Sequence, residues 1–248
     1  ALEREFRKLG IDLRKEFLEA EKELGIKPVP NRFIGRGTRI IMQAANKLGF
    51  KMEPMPKLID FKKCISCGNC ILGCRTGAKW SALEYLKEAR ENGASLLTGI
   101  NVTKVLISKG KAIGVEGSDQ KGEKIELFAN TVVLAAGGIG TPIILQNSGI
   151  KAGRKLFLDL FNVTIGLTKD TELTKEVTMA AVSHNRGFIL SPFIDHPFVL
   201  ASVIPVPLRQ NLKISTQREH MLGIMVKIKD NSLGRVHKDG LIEKTVTA

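Results

Sequence analysis

The segment VVLAAGGIGTPIILQNSGI, residues 132–150, constrains this chain more than any other stretch. Val132 to Leu134 read as a buried strand, because apolar and β-branched residues run there without interruption. Ala135, Ala136, Gly137 and Gly138 follow with almost no side-chain bulk, so backbone there can approach another group closely. Thr141 is placed to cap a following helix, with Pro142 in its first turn. Strand, small-residue bend and helix N-terminus in succession favour a phosphate or pyrophosphate nearby, because free N–H groups converge at a helix start. The same residues would also suit a turn that serves only to pack helix against strand, and pattern alone leaves both readings open.

The rest of the chain divides by period. Leu2, Phe6, Leu9, Leu13, Phe17, Leu18 and Leu24 recur at helical spacing and predict a helix over 2–25, stopped by Gly25 and then Pro28 and Pro30. Residues 36–49 predict a second helix, with Ile40, Ile41, Ala44, Ala45 and Leu48 on one side and Gly49 as its stop. A third runs from Ser81 to about Asn92, with Ser81 and Glu84 spaced as a capping box. Strands then take over: LLTGINVTKVLIS, KAIGVEGS, KIELFAN and TVVLAAGG, followed from Leu156 by LFLDLFNVTIGL, EVTMAAVSH, FILSPF, FVLASVIPV and LGIMVKIKD. RVHKDGLIEK predicts a hairpin around Asp239 and Gly240. A break near Lys151–Lys155 suggests one domain over 1–152 and a second over 153–248.

All four cysteines fall in KKCISCGNCILGCRTG, spaced Cys64-x2-Cys67-x2-Cys70-x3-Cys74. This is the spacing of a bacterial ferredoxin run, except that Arg75 stands where proline is usual. Short spacings let successive thiolates converge, Gly68 and Gly73 permit sharp turns, and Lys62, Lys63 and Arg75 would offset thiolate charge. Iron–sulfur, zinc and unliganded thiols all stay open, whereas disulfides across such short loops would be strained.

Net charge is +13, but the basic residues are scattered, and one Trp and one Tyr offer few stacking platforms, so nucleic acid is not the expected partner. No stretch approaches the roughly 20 apolar residues of a membrane span, and the charged start reads as an amphipathic helix rather than a secretory signal, so the expected compartment is the cytoplasm.

Gly137-Gly138-Ile139-Gly140-Thr141-Pro142, with Ser148-Gly149-Ile150 behind it, resembles the second signature of the glucose–methanol–choline (GMC) oxidoreductases. It departs from that signature at Gly138 and at Lys151. NVTKVLI…AIGVEG…LFANTVVLAAGG and GCRTGAKWSALEYLKEA resemble the same family, in the same order. The resemblance implies an α/β (α+β) fold: a partial FAD-binding domain with N-terminal helices, a Cys-rich loop over 61–80 and a β-meander, then a mostly antiparallel substrate domain. It implies that backbone at Val102 meets the adenine of FAD, and that Ala135, Ala136, Gly137 and Gly138, with Thr141 behind them, lie near its phosphates and ribose. The loop from Gly73 through Gly77 to Ser81 would run close to the flavin.

Two parts of the family pattern are missing. The chain has no strand–GxGxxG–helix unit, and His184, His196, His220 and His237 match no family base, so no catalytic base is named. The expectation is a fragment of an enzyme oxidising a CH–OH donor, completed by the remainder of the chain or a complementary subunit, and binding FAD weakly alone. A small-molecule alcohol would be the substrate, and a [4Fe–4S] cluster would pass electrons to a ferredoxin or other redox partner. A flavoprotein subunit of the fumarate reductase or succinate dehydrogenase kind, and a non-enzymatic ferredoxin-like or zinc-binding module, are the alternatives.

Overall fold

A computed structural model describes residues 6–169, 176–193, 220–230 and 234–245. They group into two compact units, one combining residues 1–85 with 161–228 and the other 86–160 with 229–248. The sequence reading placed one cut near residue 152, whereas these units interleave. The physical reason is long-range strand pairing, which periodicity does not report.

In the first unit that pairing builds a five-stranded sheet in the order β2-β8-β9-β10-β7. Its strands are β2 (Glu53–Pro54), β7 (Leu160–Leu167), β8 (Ala181–Asn185), β9 (Phe188–Pro192) and β10 (Met221–Ile228). β2 joins β8 through Glu53 opposite Val182, which ties the early chain to the late one. β9 pairs antiparallel with both β8 and β10. Ser191, wholly buried, donates from its hydroxyl to the Ala181 carbonyl at 2.8 Å and so satisfies a polar group inside the sheet. The expected strand FVLASVIPV lies outside the described residues.

The predicted helix over 2–25 is broken. Gly10 takes a left-handed conformation and Asp12 accepts a bond from the Arg14 N–H at 3.1 Å, so a new helix, α1 (Arg14–Glu23), starts there. α2 (Arg36–Lys47) lies against the sheet and ends, as expected, ahead of Gly49. Ala45 of α2 packs with Met52, Ala181 and Leu190 in one core cluster. A second cluster gathers Val29, Phe33, Ile34, Val177 and Ala180, with Phe61 and Cys64 against it. Burial of the apolar side of α2 is incomplete. Leu48 is 75% exposed, and an open groove of about 600 Å³ runs between helix and sheet, lined by Leu48, Phe50, Leu222 and Ile228 among others.

The second unit carries a three-stranded antiparallel meander, β4 (Asn101–Ser108), β5 (Lys111–Ser118) and β6 (Lys124–Phe128), as expected. Gly117 of β5 passes so close to β4 that a Cβ would collide with the Asn101 carbonyl. α3 (Leu83–Glu91) precedes the meander, and α4 (Gly137–Asn147) follows it. The predicted hairpin forms as β11 (Arg235–Val236) and β12 (Ile242–Glu243), with Asp239 accepting from the Leu241 N–H across the turn. Lys244 and Asp230 make an ion pair of 2.7 Å with side chains only 6% and 5% exposed. Removing one member of such a pair typically costs about 3–5 kcal/mol.

The expected buried strand at 132–134 is not formed. Those residues join no strand ladder, and Val133 is 84% exposed. An apolar run becomes a strand only where another strand offers partners, and the described residues of this unit offer none to it.

Glu176 supplies a pH-sensitive contact. Its carboxylate accepts from the Thr38 N–H at 3.3 Å, at the start of α2. Burial pushes its proton affinity up, and the bonds from Thr38 and Gly35 and the charge of Arg39 only partly offset this. A carboxyl whose folded pKa is raised favours folding below its unfolded pKa and loses that contribution as pH rises through the folded one. Glu176→Gln is therefore expected to melt above the wild type at alkaline pH, with the gap closing on acidification. A variant less stable by a constant amount at every pH would refute this account.

Candidate functional site

The helix start in the second unit comes first. α4 begins at Gly137, five residues earlier than a Thr141 cap and Pro142 in the first turn suggested, and both of those lie inside the helix. Ala136 is its N-cap, and no side chain caps it. The first N–H groups, on Gly137, Gly138 and Ile139, therefore have no intrahelical carbonyl to meet. Gly137 has φ +74°, a left-handed conformation that side chains disfavour. A Cβ added at Gly137 or Gly138 would meet no heavy atom within 4 Å. Ala135, Ala136, Gly137 and Gly138 are all exposed. Among the described residues, nothing lies where a Cβ at Gly137 or Gly138 would stand.

The other end of α4 fixes this bend in its unit. Ser148 accepts from the Val105 N–H at 2.8 Å and donates to the Ile144 carbonyl at 2.7 Å. Asn147 donates to the Thr103 carbonyl at 3.0 Å, at the point where the β4–β5 register shifts. This explains why a serine directly after the helix matters: it bonds β4 to the last turn of α4. Val102 is half-buried on the same strand, opposite Gly117. Val102, Ala135 to Gly138 and Thr141 thus belong to one unit, with α4 packed on β4.

Cys64, Cys67, Cys70, Cys74, Gly77 and Ser81 belong to the other unit. The cysteine loop is closed at its base by extended flanks: Asp60 N–H donates to the Ala78 carbonyl at 2.8 Å, and Trp80 N–H to the Leu58 carbonyl at 3.0 Å. Within it, Ser66, Gly68, Gly73 and Gly77 all take positive φ. The four cysteines line one small cavity together with Ile59, Ala78 and Val177. Their thiols are free, and among the described residues no three His, Cys, Asp or Glu side chains are disposed to hold a metal ion. Ser81 is exposed ahead of α3, where its carbonyl accepts from the Glu84 N–H at 3.1 Å.

The thiols differ in acidity. The Thr76 hydroxyl, 3.5 Å from Cys74 Sγ, together with backbone N–H groups such as that of Lys79 at 3.4 Å, brings the Cys74 thiol down to about 7. Cys64 goes the other way, because it is packed against the Val29–Phe33 core and burial raises it.

Of the cations expected near the cysteines, Arg75 lines their cavity, joined there by Lys79, which was not expected. Lys63 lies 3.7 Å from Asp60, whereas Lys79 reaches into the loop and donates to the Cys70 carbonyl at 3.1 Å. Lys57 on β3 (Pro56–Lys57) is the second: burial lowers its ammonium, the Cys70 thiolate offsets part of that, and Lys79 adds to it. Lys79 was legible in principle, inside the GAK triplet of a resembling segment. Lys57, directly after Pro54 and Pro56, carries no sequence signal.

Comparison with known proteins now bears on this arrangement. A family model described as GMC oxidoreductase matches residues 10–185, well over half of the chain, and the chain belongs to that family. An uncharacterized protein of Methanocaldococcus jannaschii, MJ1450, is 32% identical over 97% of the chain. The uncharacterized GMC-type oxidoreductase Rv0492c of Mycobacterium tuberculosis is 33% identical over 61%, and the long-chain-alcohol oxidase FAO4B of Arabidopsis thaliana 30% identical over 64%. The chain spans 58% of the first of these proteins and 25% and 24% of the others. Pyridoxine 4-oxidase from Mesorbium loti matches in structure over 85% of this chain and 45% of its own, with a TM-score of 0.59 and 14% identity, which is a likeness of fold.

FAD is the cofactor that this family implies, and the bend leaves room for it, being exposed, uncapped and free of side chains. Gly138→Leu tests whether that room is used. A Cβ at this position meets no heavy atom within 4 Å, and leucine is the better helix former by a few tenths to about 1 kcal/mol. The variant is expected to melt at or slightly above the wild type while FAD affinity falls about tenfold or more. Unchanged FAD affinity would show that the ligand does not sit at this bend.

Proposed function

We propose that this chain forms part of an FAD-dependent oxidoreductase acting on the CH–OH group of a small-molecule alcohol, and that Cys64, Cys67, Cys70 and Cys74 hold a [4Fe–4S] cluster. The flavin part rests chiefly on one observation, the uncapped and side-chain-free start of α4. N–H groups of Gly137, Gly138 and Ile139 would donate to the cofactor's phosphate oxygens, where the helix dipole favours negative charge. Ala135 and Ala136 would keep the approach clear, Thr141 would offer a hydroxyl one turn on, and backbone at Val102 would meet the adenine. Gly77 and Ser81 would lie along the flavin.

FAD, when bound, supplies the hydride acceptor. The alcohol's hydroxyl proton must leave to a base, and none is assigned on this chain. His184 is exposed on β8, His220 lies at the start of β10, and His237 sits 3.2 Å from the Glu243 carboxylate in the hairpin. His196 lies outside the described residues. The name of the Arabidopsis relative, a long-chain-alcohol oxidase, supports an alcohol donor. Membership of the GMC family favours this reading over a fumarate reductase-like subunit.

The cluster part rests on the ferredoxin spacing and on all four thiols lining one cavity. The thiols are not gathered in advance, so metal binding would draw the loop together. Four positive-φ positions in that loop give it the turns to do so. A cluster here would fit transfer of electrons onward to a ferredoxin or another redox partner.

Anaerobic reconstitution with ferrous iron and sulfide tests the cluster. The expected result is a brown protein with about four irons per chain, and loss of most of that iron in each single Cys→Ser variant. Colourless protein that takes up one zinc per chain instead would contradict it, as would iron uptake that survives all four substitutions.

A further inference from the structure

Beside the cysteine loop, and sharing Cys70 with it, the first unit holds a cavity of about 400 Å³ whose chemistry is unusual for this chain. Lys57 and Lys79 face it. Leu58, Ile59, Trp80 and Phe193 make much of its wall. Lys57 is half-buried. Neither lysine has a carboxylate partner among the described residues, and the one bond that the Lys79 ammonium makes goes to a neutral carbonyl, that of Cys70. The half-buried Lys57 ammonium, which Cys70 offsets only in part and the exposed Lys79 opposes, is held at a cost, because partly buried charges are normally paired. Met179, also on this wall, has φ +53°, a conformation that bulky side chains rarely adopt. Strain of that kind gathers where a fold holds a site in shape.

We infer that this cavity is a binding site for a small organic oxyanion, a carboxylate or a phosphate monoester on an aromatic or apolar body. The two lysines would take the charged oxygens, and the body would lie against Trp80 and Phe193. Trp80 is held for this, its ring edge-on to Tyr85 at 5.1 Å and its backbone bonded to Leu58. The inference uses neither the bend at Ala135–Gly138 nor a metal, although Cys70 lines the cavity and Lys79 and Trp80 lie in the loop proposed to run along the flavin.

Trp80 is the single tryptophan of the chain, so its emission reports its own surroundings, this cavity and the groove it shares with Lys62 and Lys63, and the Lys57 and Lys79 variants tell the two apart. Benzoate and phenyl phosphate are titrated against the wild type, with benzyl alcohol as the neutral counterpart and sodium chloride holding ionic strength constant. Both anions are expected to change the emission saturably, and benzyl alcohol is not. Whichever of the two binds tighter identifies the oxyanion. Lys57→Met and Lys79→Met are each expected to weaken binding about tenfold or more, the loss of one charge-assisted hydrogen bond. Lys57→Arg keeps the charge and is expected to stay within a few-fold of the wild type. Thermal melting of each variant separates a lost ligand contact from a lost fold. The inference is overturned if the anions bind no better than benzyl alcohol, or if both Met variants fold and bind as the wild type does.

Discussion

A helix that starts with no side chain to cap it leaves its first N–H groups wanting acceptors, and the second unit is organised around that fact. α4 starts at Gly137 with Ala136 as an uncapped N-cap, and buried donors without partners are costly enough that folded proteins almost never keep them. Here they are exposed rather than buried, so water meets them until something better does. The opposite end of the helix is not free at all. Ser148 and Asn147 bond to Val105 and Thr103, which holds α4 on the meander and sets where its open end stands. Rigidity at one end and bareness at the other are what a preorganised anion site needs.

The meander, the hairpin around Gly240 and the stops at Gly25 and Gly49 were legible because each is set by local turn chemistry. Helix 2–25 was misread because its helical spacing continues across Gly10, where the left-handed backbone and the Asp12 bond to the Arg14 N–H decide otherwise. Thr141-Pro142 looked like a helix start because both residues are common there; α4 instead starts upstream at Gly137, whose left-handed backbone turns the chain into the helix. Val132–Leu134 reads as a strand in any window, yet a strand is a property of two segments, and sequence shows only one. The pairing of β2 with β8 was invisible for the same reason.

The cysteine loop shows the limit of spacing as evidence. Four cysteines in a ferredoxin register do line one cavity, but their thiols differ in acidity because one packs on a core and another meets Thr76 and backbone donors. The nearby cations are Lys57 and Lys79, brought in by a β-bridge at the loop's base, rather than the lysines adjacent in sequence. Charge around a loop is decided by what the fold folds back onto it.

Amide hydrogen exchange of the protein with and without saturating FAD puts the central claim to its most direct test. Slowed exchange at residues 137–140 and in β4 around Val102, with the rest of the meander unchanged, is the predicted result. Exchange at the start of α4 that is identical in the two samples, while protection appears elsewhere, would contradict the assignment of that bare helix start to the cofactor.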